Sequence, residues 1–175
     1  MNIKRLLMII LMIVITPCSV KACNDFLNGR GTVQEPYLIY TEEDLKRIGN
    51  DEEWSLDKHY KLMNDIVLEK PKEGESNWRP IGTTENPFTG VFDGNGKTIS
   101  NIIIVSSESN AIGFFGRISG EKTKVEGLGL LNVNINLDDK TVRSTIVGTL
   151  TGSVFLGTIK DCYSIGNVSG GKSIS

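Results

Sequence analysis

The chain has 175 residues, 39% of them hydrophobic and 23% charged, which suits one packed domain and excludes both a disordered chain and a large enzyme with a separate cofactor domain. A formal net charge of −2, with no basic cluster interleaved with aromatic residues, offers no general attraction to a phosphate backbone and argues against nucleic acid as a partner. Nineteen glycines without a triplet period exclude collagen and mark many tight turns, which favours short strands.

Lys4 and Arg5 precede an apolar run from Leu6 to Ile15, the n-region and h-region of a secretory signal. Pro17, Cys18 and Lys21 interrupt the run well short of the ~20 residues a membrane-spanning helix needs. Val20 and Ala22 fit the −3 and −1 positions of a cleavage site, so residues 1–22 read as a signal peptide and Cys23 as the first residue of the exported form. A small residue ahead of a cysteine resembles a bacterial lipoprotein signal, in which the thiol is acylated; Lys21 fits that pattern poorly. Lipidation at Cys23, as in an outer-membrane lipoprotein, and free secretion both stay open, and an anchor at Cys23 is the one membrane contact foreseen. Loss of Lys4, Arg5 and Lys21 leaves 16 basic against 21 acidic residues, a net charge of −5. Cys23 and Cys162 could form a disulfide outside the cell, but a cysteine inside an apolar strand more often acts as a small hydrophobe, and that is the reading favoured for Cys162.

Residues 23–59 are expected to form an N-terminal cap. Gly29-Arg30-Gly31-Thr32 is turn chemistry, and Pro36 to Tyr40 reads as a short strand. Thr41 with Asp44 three residues on resembles a capping box, Leu45 and Ile48 share a face, and Gly49 can end the helix, which predicts a capping helix from Glu42 to Ile48. Two turns of helix are marginal alone in water, so this one must pack against something, and the open end of a β-stack is suitable.

From Tyr60 to the end the pattern is strands and turns. Tyr60 to Leu68 alternates over part of its length, and Lys70 to Asn77 is a polar loop. Ile99, Ile102 and Ile104, then Val125, Leu128 and Leu130, then Ile159, Cys162 and Ser164 repeat a spacing of three then two, with connections of unequal length between the sets. A glycine-flanked segment precedes each set: Gly90 to Gly94, Gly113 to Gly116 and Gly148 to Gly152. About three copies in residues 60–175 predict a coil whose rungs cannot bury their apolar faces singly and therefore stack, with Ile99, Ile102, Phe115, Leu128, Leu130, Leu150 and Ile159 in one column. Asn95, Asn101, Asn132 and Asn167 suit the bends, because asparagine tolerates left-handed backbone. An antiparallel sandwich is the alternative, although it does not need the same apolar spacing after each glycine pair.

Asn77-Trp78-Arg79-Pro80-Ile81-Gly82-Thr83 and the run from Pro87 to Asn101 closely resemble the segment leading into the GLUG-motif repeats of bacterial surface proteins. Ile112 to Gly116 and Val147 to Gly152 look like the glycine-hydrophobic core of that repeat, Ile159 to Gly170 like its closing strand, and Gly29 to Ile48 like the cap before it. Thr149 and Thr151 depart from the usual glycine-glycine-leucine-valine-glycine core, so the last copy is degenerate. The resemblance implies an all-β fold, a right-handed parallel β-helix of the pectin-lyase-like kind. Such repeats occur in secreted adhesin-like proteins and beside the catalytic domain of immunoglobulin-A-cleaving metallopeptidases, and the motif in them is structural.

No catalytic, cofactor-binding or metal site is assigned from sequence. His59 has no second histidine and reads as a solvated loop residue, which leaves no zinc protease pattern. Gly166 to Ser173 has the spelling of a phosphate loop but only two residues follow it, too few for the helix such a loop requires. Asp93, Asp138, Asp139 and Asp161 suit turns and loops better than calcium binding or sugar cleavage. Trp78 and Tyr163 could stack on sugars, although packing is their commoner use. The function expected is a non-enzymatic, exported surface β-solenoid, a stalk or binding module whose partner is a host surface protein or glycan. The alternatives are a repeat region of a longer protease or adhesin and a reduced carbohydrate-active β-helix enzyme. Nothing after the last strand reads as a cap, so the final rung is expected to stay open and to associate end to end.

Overall fold

The computed structural model describes residues 29–106, 111–137 and 145–170; the signal segment, Cys23, Asp138, Asp139 and the end of the phosphate-loop spelling lie outside them. The elements in chain order are β1 (Tyr37–Ile39), α1 (Glu42–Arg47), β2 (His59–Leu62), β3 (Ile66–Val67), β4 (Val91–Asp93), β5 (Thr98–Ser100), β6 (Ile103–Ser106), β7 (Ala111–Ile112), β8 (Phe115–Ser119), β9 (Lys124–Glu126), β10 (Gly129–Leu137), β11 (Ile146–Val147), β12 (Thr151–Phe155), β13 (Thr158–Lys160) and β14 (Tyr163–Gly170).

Every strand pair among the described residues is parallel, which removes the antiparallel sandwich. One sheet runs β1-β2-β4-β9-β13 and a second runs β3-β5-β10-β14, with β6 also along β10. The third side is β7-β11 and β8-β12, to which Ile81 and Phe88 bridge through Phe115 and Ile118. Successive strands of one sheet are therefore a whole turn apart in sequence. Tyr60, Phe92, Val125 and Ile159 lie in register, one above another, at nearly even steps along the chain. The chain is a β-solenoid of about three turns, residues 59–90, 91–123 and 124–157, with a partial rung at each end.

The apolar column down its middle explains the arrangement. A parallel strand buried on its inner face needs a neighbour on both edges, and each rung supplies one to the next. Phe92, Ile99, Ile102, Phe115, Val125, Leu128, Leu130, Val133 and Ile135 have no exposed surface. Aromatic rings cross the column in contact, Trp78 on Phe114 at 4.7 Å between centroids and Phe88 on Phe115 at 5.2 Å. Thr123 is the only buried polar residue among those described, and its hydroxyl donates to the carbonyls of Thr89 and Ser119, at 3.0 and 2.7 Å.

The helix forms for the reason its sequence suggests. The Thr41 hydroxyl accepts from the Asp44 amide while the Asp44 carboxylate accepts from the Thr41 amide, each at 3.1 Å. Leu45, Ile48 and Trp54 join the apolar column at the β1 end, where Trp54 stacks on Tyr37 at 4.6 Å and the Arg47 guanidinium lies over the Trp54 ring.

The repeat register differs from the spacing argument. Ile99 pairs with Leu130 and Ile104 with Ile135, while Val125 sits on Phe92. The turn 124–157 carries the three-then-two spacing twice, at Val125, Leu128 and Leu130 and again at Leu130, Val133 and Ile135, and it is the second set that stacks on Ile99, Ile102 and Ile104, so the interval from Ile99 to Val125 joins strands that are not equivalent. The glycine segments misalign similarly. Gly113 to Gly116 and Gly148 to Gly152 are stacked counterparts, since Phe115 pairs with Thr151, but their predecessor is Ile81-Gly82, not Gly90 to Gly94. The stretch from Tyr60 to Leu68 is two strands broken at 63–65.

Asn95, Asn101 and Asn132 take φ values of 52°, 63° and 52° at bends, as expected. The Asn132 side-chain amide donates to the Asn101 side-chain oxygen at 2.8 Å, and the Asn77 side-chain amide donates to the Asn101 main-chain carbonyl at 2.7 Å. Asn167 is not at a bend; it pairs with Asn134 inside β14, because β10 carries one residue more than β14 after Leu130 and the corner is lost from the last rung.

Candidate functional site

The outer surface is where this fold can meet a partner, since its interior is filled. On the β2-β4-β9-β13 sheet, Lys61, Asp93, Glu126 and Lys160 stand in one outward row. Lys61 pairs with Asp93 at 2.8 Å and Lys124 with Glu126 at 2.7 Å, all of them partly exposed. The opposite charges along the row offset one another, which makes it a solvated face.

A groove of about 670 Å³ lies between the end of α1 and the strap from Ser76 to Thr83. Arg79 reaches across it to the Asn50 side chain at 3.3 Å. Ile48, Leu56 and Pro80 give it an apolar floor, and its carboxylates, Asp51 and Glu52, stand near one another at its rim. Asp51 is already held by Arg47 at 2.6 Å. No group of three or more His, Cys, Asp or Glu that could hold a metal occurs among the described residues.

The residues considered from sequence are scattered rather than convergent. His59 is half-buried in β2, paired with Val91, and not in a solvated loop. Trp78 is buried, and its indole N–H donates to the Phe114 carbonyl at 3.0 Å, so it cannot stack on a sugar. Tyr163 is 52% exposed, its ring lying over Gly129, where a Cβ would come within 2.6 Å of it. Asp161 occupies a left-handed turn beside Lys160. Gly166 to Gly170 are strand residues, which disposes of the phosphate loop. Cys162 has no disulfide partner among the described residues and is partly buried against the column, and burial pushes its pKa up. The hydrogen bonds Asp65 accepts from the Thr98 amide and hydroxyl hold its carboxyl below the usual range, although it is exposed.

The feature that sequence reading missed is the apolar dressing of the last rung. Ile159 and Val168 stand over the fully buried Val125 and Ile135, yet Val168 is 49% exposed. Phe155 and Tyr163 occupy positions held one turn earlier by Ser119 and Gly129. That exchange of small residues for aromatic ones is visible in the sequence only once the true register is known.

Two relatives share most of the chain. Halomucin of Haloquadratum walsbyi is 34% identical over 150 residues, 83% of this chain and 2% of that protein. A protein of Evansella cellulosilytica carrying the name Gly-rich membrane protein is 36% identical over 129 residues, 73% of this chain and 14% of that protein. The chain thus spans a small part of the length of each. No family model matches it, and no solved structure does. No helix among the described residues is long and apolar enough to cross a membrane.

Proposed function

We propose that this chain is an exported, non-enzymatic β-solenoid module displayed at a bacterial cell surface, in the manner of an adhesin or a stalk. The single observation that carries the reading is the unbroken apolar column from Tyr60 to Val125, three rungs in register with no polar cavity inside, which builds a stiff spacer and leaves only outer faces for contact. The names of the two relatives, Halomucin and a Gly-rich membrane protein, agree with a surface role. In the same reading the coil is right-handed, the repeats belong with the GLUG-motif proteins, α1 and Trp54 cap the first rung, and residues 1–22 are removed to leave Cys23, acylated or free.

The groove at Arg79 and the neutral outer row are the faces offered to a host protein or glycan. Protease shaving of intact cells of the native host tests display directly: the chain is expected among the peptides released, and its retention inside the cell with residues 1–22 intact overturns the proposal. Mass spectrometry of the N-terminal peptide distinguishes a lipid at Cys23 from a free thiol.

A further inference from the structure

The groove between the end of α1 and the strap from Ser76 to Thr83 is bounded by polar groups that the fold holds in place without using them up. On the helix side, the Asn50 side-chain amide donates to the Lys46 carbonyl at 2.7 Å, and its oxygen accepts from Arg79 at 3.3 Å. On the strap side, Thr83 and Asn86 close a turn on each other. The Thr83 main-chain amide donates to the Asn86 carbonyl at 2.8 Å, and the Asn86 main-chain amide donates to the Thr83 hydroxyl at 3.0 Å. Each wall is thus fixed largely by bonds internal to itself, so the site is formed before any ligand arrives. Three side chains at the groove keep unspent capacity. Arg79, exposed, gives only one N–H, to Asn50; the Asn86 side-chain amide has no hydrogen-bond partner and Glu52 no ion-pair partner among the described residues.

We propose that this groove binds a neutral carbohydrate, with Arg79, Asn86 and Glu52 meeting its hydroxyls and the apolar floor carrying the C–H face of a sugar ring. This rests on the surface role above, in which the groove is one face offered to a partner, and commits that face to one class of ligand. Charge selects against ions. Lys46 is spent on Glu42 and Asp51 on Arg47, which leaves Arg79 and Glu52, one of each sign. An anionic ligand would meet the carboxylates of Asp51 and Glu52, and a cationic one the guanidinium. A sugar hydroxyl both donates and accepts, so it suits a guanidinium, a carboxylate and an amide alike. An extended peptide fits less well, because such peptides add to a strand edge and none of the residues lining this groove belongs to a strand. The volume of about 670 Å³ is that of a small-ligand site, within the range of roughly 300–1,000 Å³.

A microarray of neutral and acidic oligosaccharides probed with the full exported chain, followed by NMR titration with the neutral glycan bound best, tests it. The expected result is binding of neutral glycans over acidic ones, with amide shifts gathered at Asn50, Arg79 and Asn86. Arg79→Ala is expected to weaken binding at least about tenfold and Asn86→Ala about threefold, while Lys122→Ala, on an exposed turn, leaves it unchanged. Should a groove variant fail to fold, the shifts on the unsubstituted chain still locate the site. No neutral glycan bound, a preference for acidic glycans, shifts confined to the row of Lys61, Asp93, Glu126 and Lys160, or indifference to both groove substitutions overturns the proposal. Protease shaving decides display without reference to sugars, so a displayed chain that binds no neutral glycan overturns this assignment and leaves the surface role standing.

Discussion

Ile102 and Ile159 both point into the column, and truncating each to alanine measures how far the stacking rung, not the local sequence, stabilises it. Ile102 has no exposed surface and Ile159 is 37% exposed. Removing three carbons from a buried site costs about 0.8 kcal/mol each in transfer, and the enclosed cavity brings Ile102→Ala into the range of about 2–5 kcal/mol. At Ile159 the transfer cost shrinks with exposure and water fills the space, so Ile159→Ala is expected to cost about 1–1.5 kcal/mol. Urea unfolding followed by circular dichroism, at concentrations too low for self-association, gives both values, provided the slope against urea is the same in the two variants. Equal losses, or a larger loss at Ile159, would refute the stacked column, because the two side chains would then share one environment.

Thr123→Val keeps the shape but leaves the Thr89 and Ser119 carbonyls without their donor, and a loss of about 1–3 kcal/mol is expected by thermal unfolding. Gly116→Ala would place a Cβ 2.2 Å from the Gly82 carbonyl oxygen, backbone that cannot step aside, and the loss is expected to reach or exceed the about 3 kcal/mol at the upper end for overpacking. The Cys162 thiol, its pKa raised by burial, holds less thiolate at a given pH than a free cysteine; alkylation read at its own peptide is expected to be slower at mildly alkaline pH than in denaturant, and to speed up as pH rises.

Local chemistry was legible in the sequence. Thr41 and Asp44 announce their capping box in four residues, and the left-handed bends at Asn95, Asn101 and Asn132 follow from side chains that bond their own backbone. Register was not legible, for a physical reason: residues 125–135 present the same apolar spacing twice, so the pattern fits two alignments and only the ladder of hydrogen bonds selects one. An open final rung was expected, but not that Ile159, placed in the apolar column, would be exposed on it. Val125 and Ile159 occupy the same place in the same local pattern, and what separates them in the described structure is that β13 lies over Val125. The groove at Arg79 and Asn50 joins residues distant in sequence, brought together by the fold alone.

The ladder of parallel strands has a mechanical consequence. Its hydrogen bonds run along the axis of the coil, so a pull between the two ends loads each one in tension and opens the rungs in turn rather than shearing a whole sheet at once. Each rung that peels away frees the stretch of chain between one registered residue and the next, as from Phe92 to Val125. At about 3.3–3.6 Å per extended residue, that stretch lengthens the molecule by roughly 110 Å per step. A short rod built this way yields in regular increments under load.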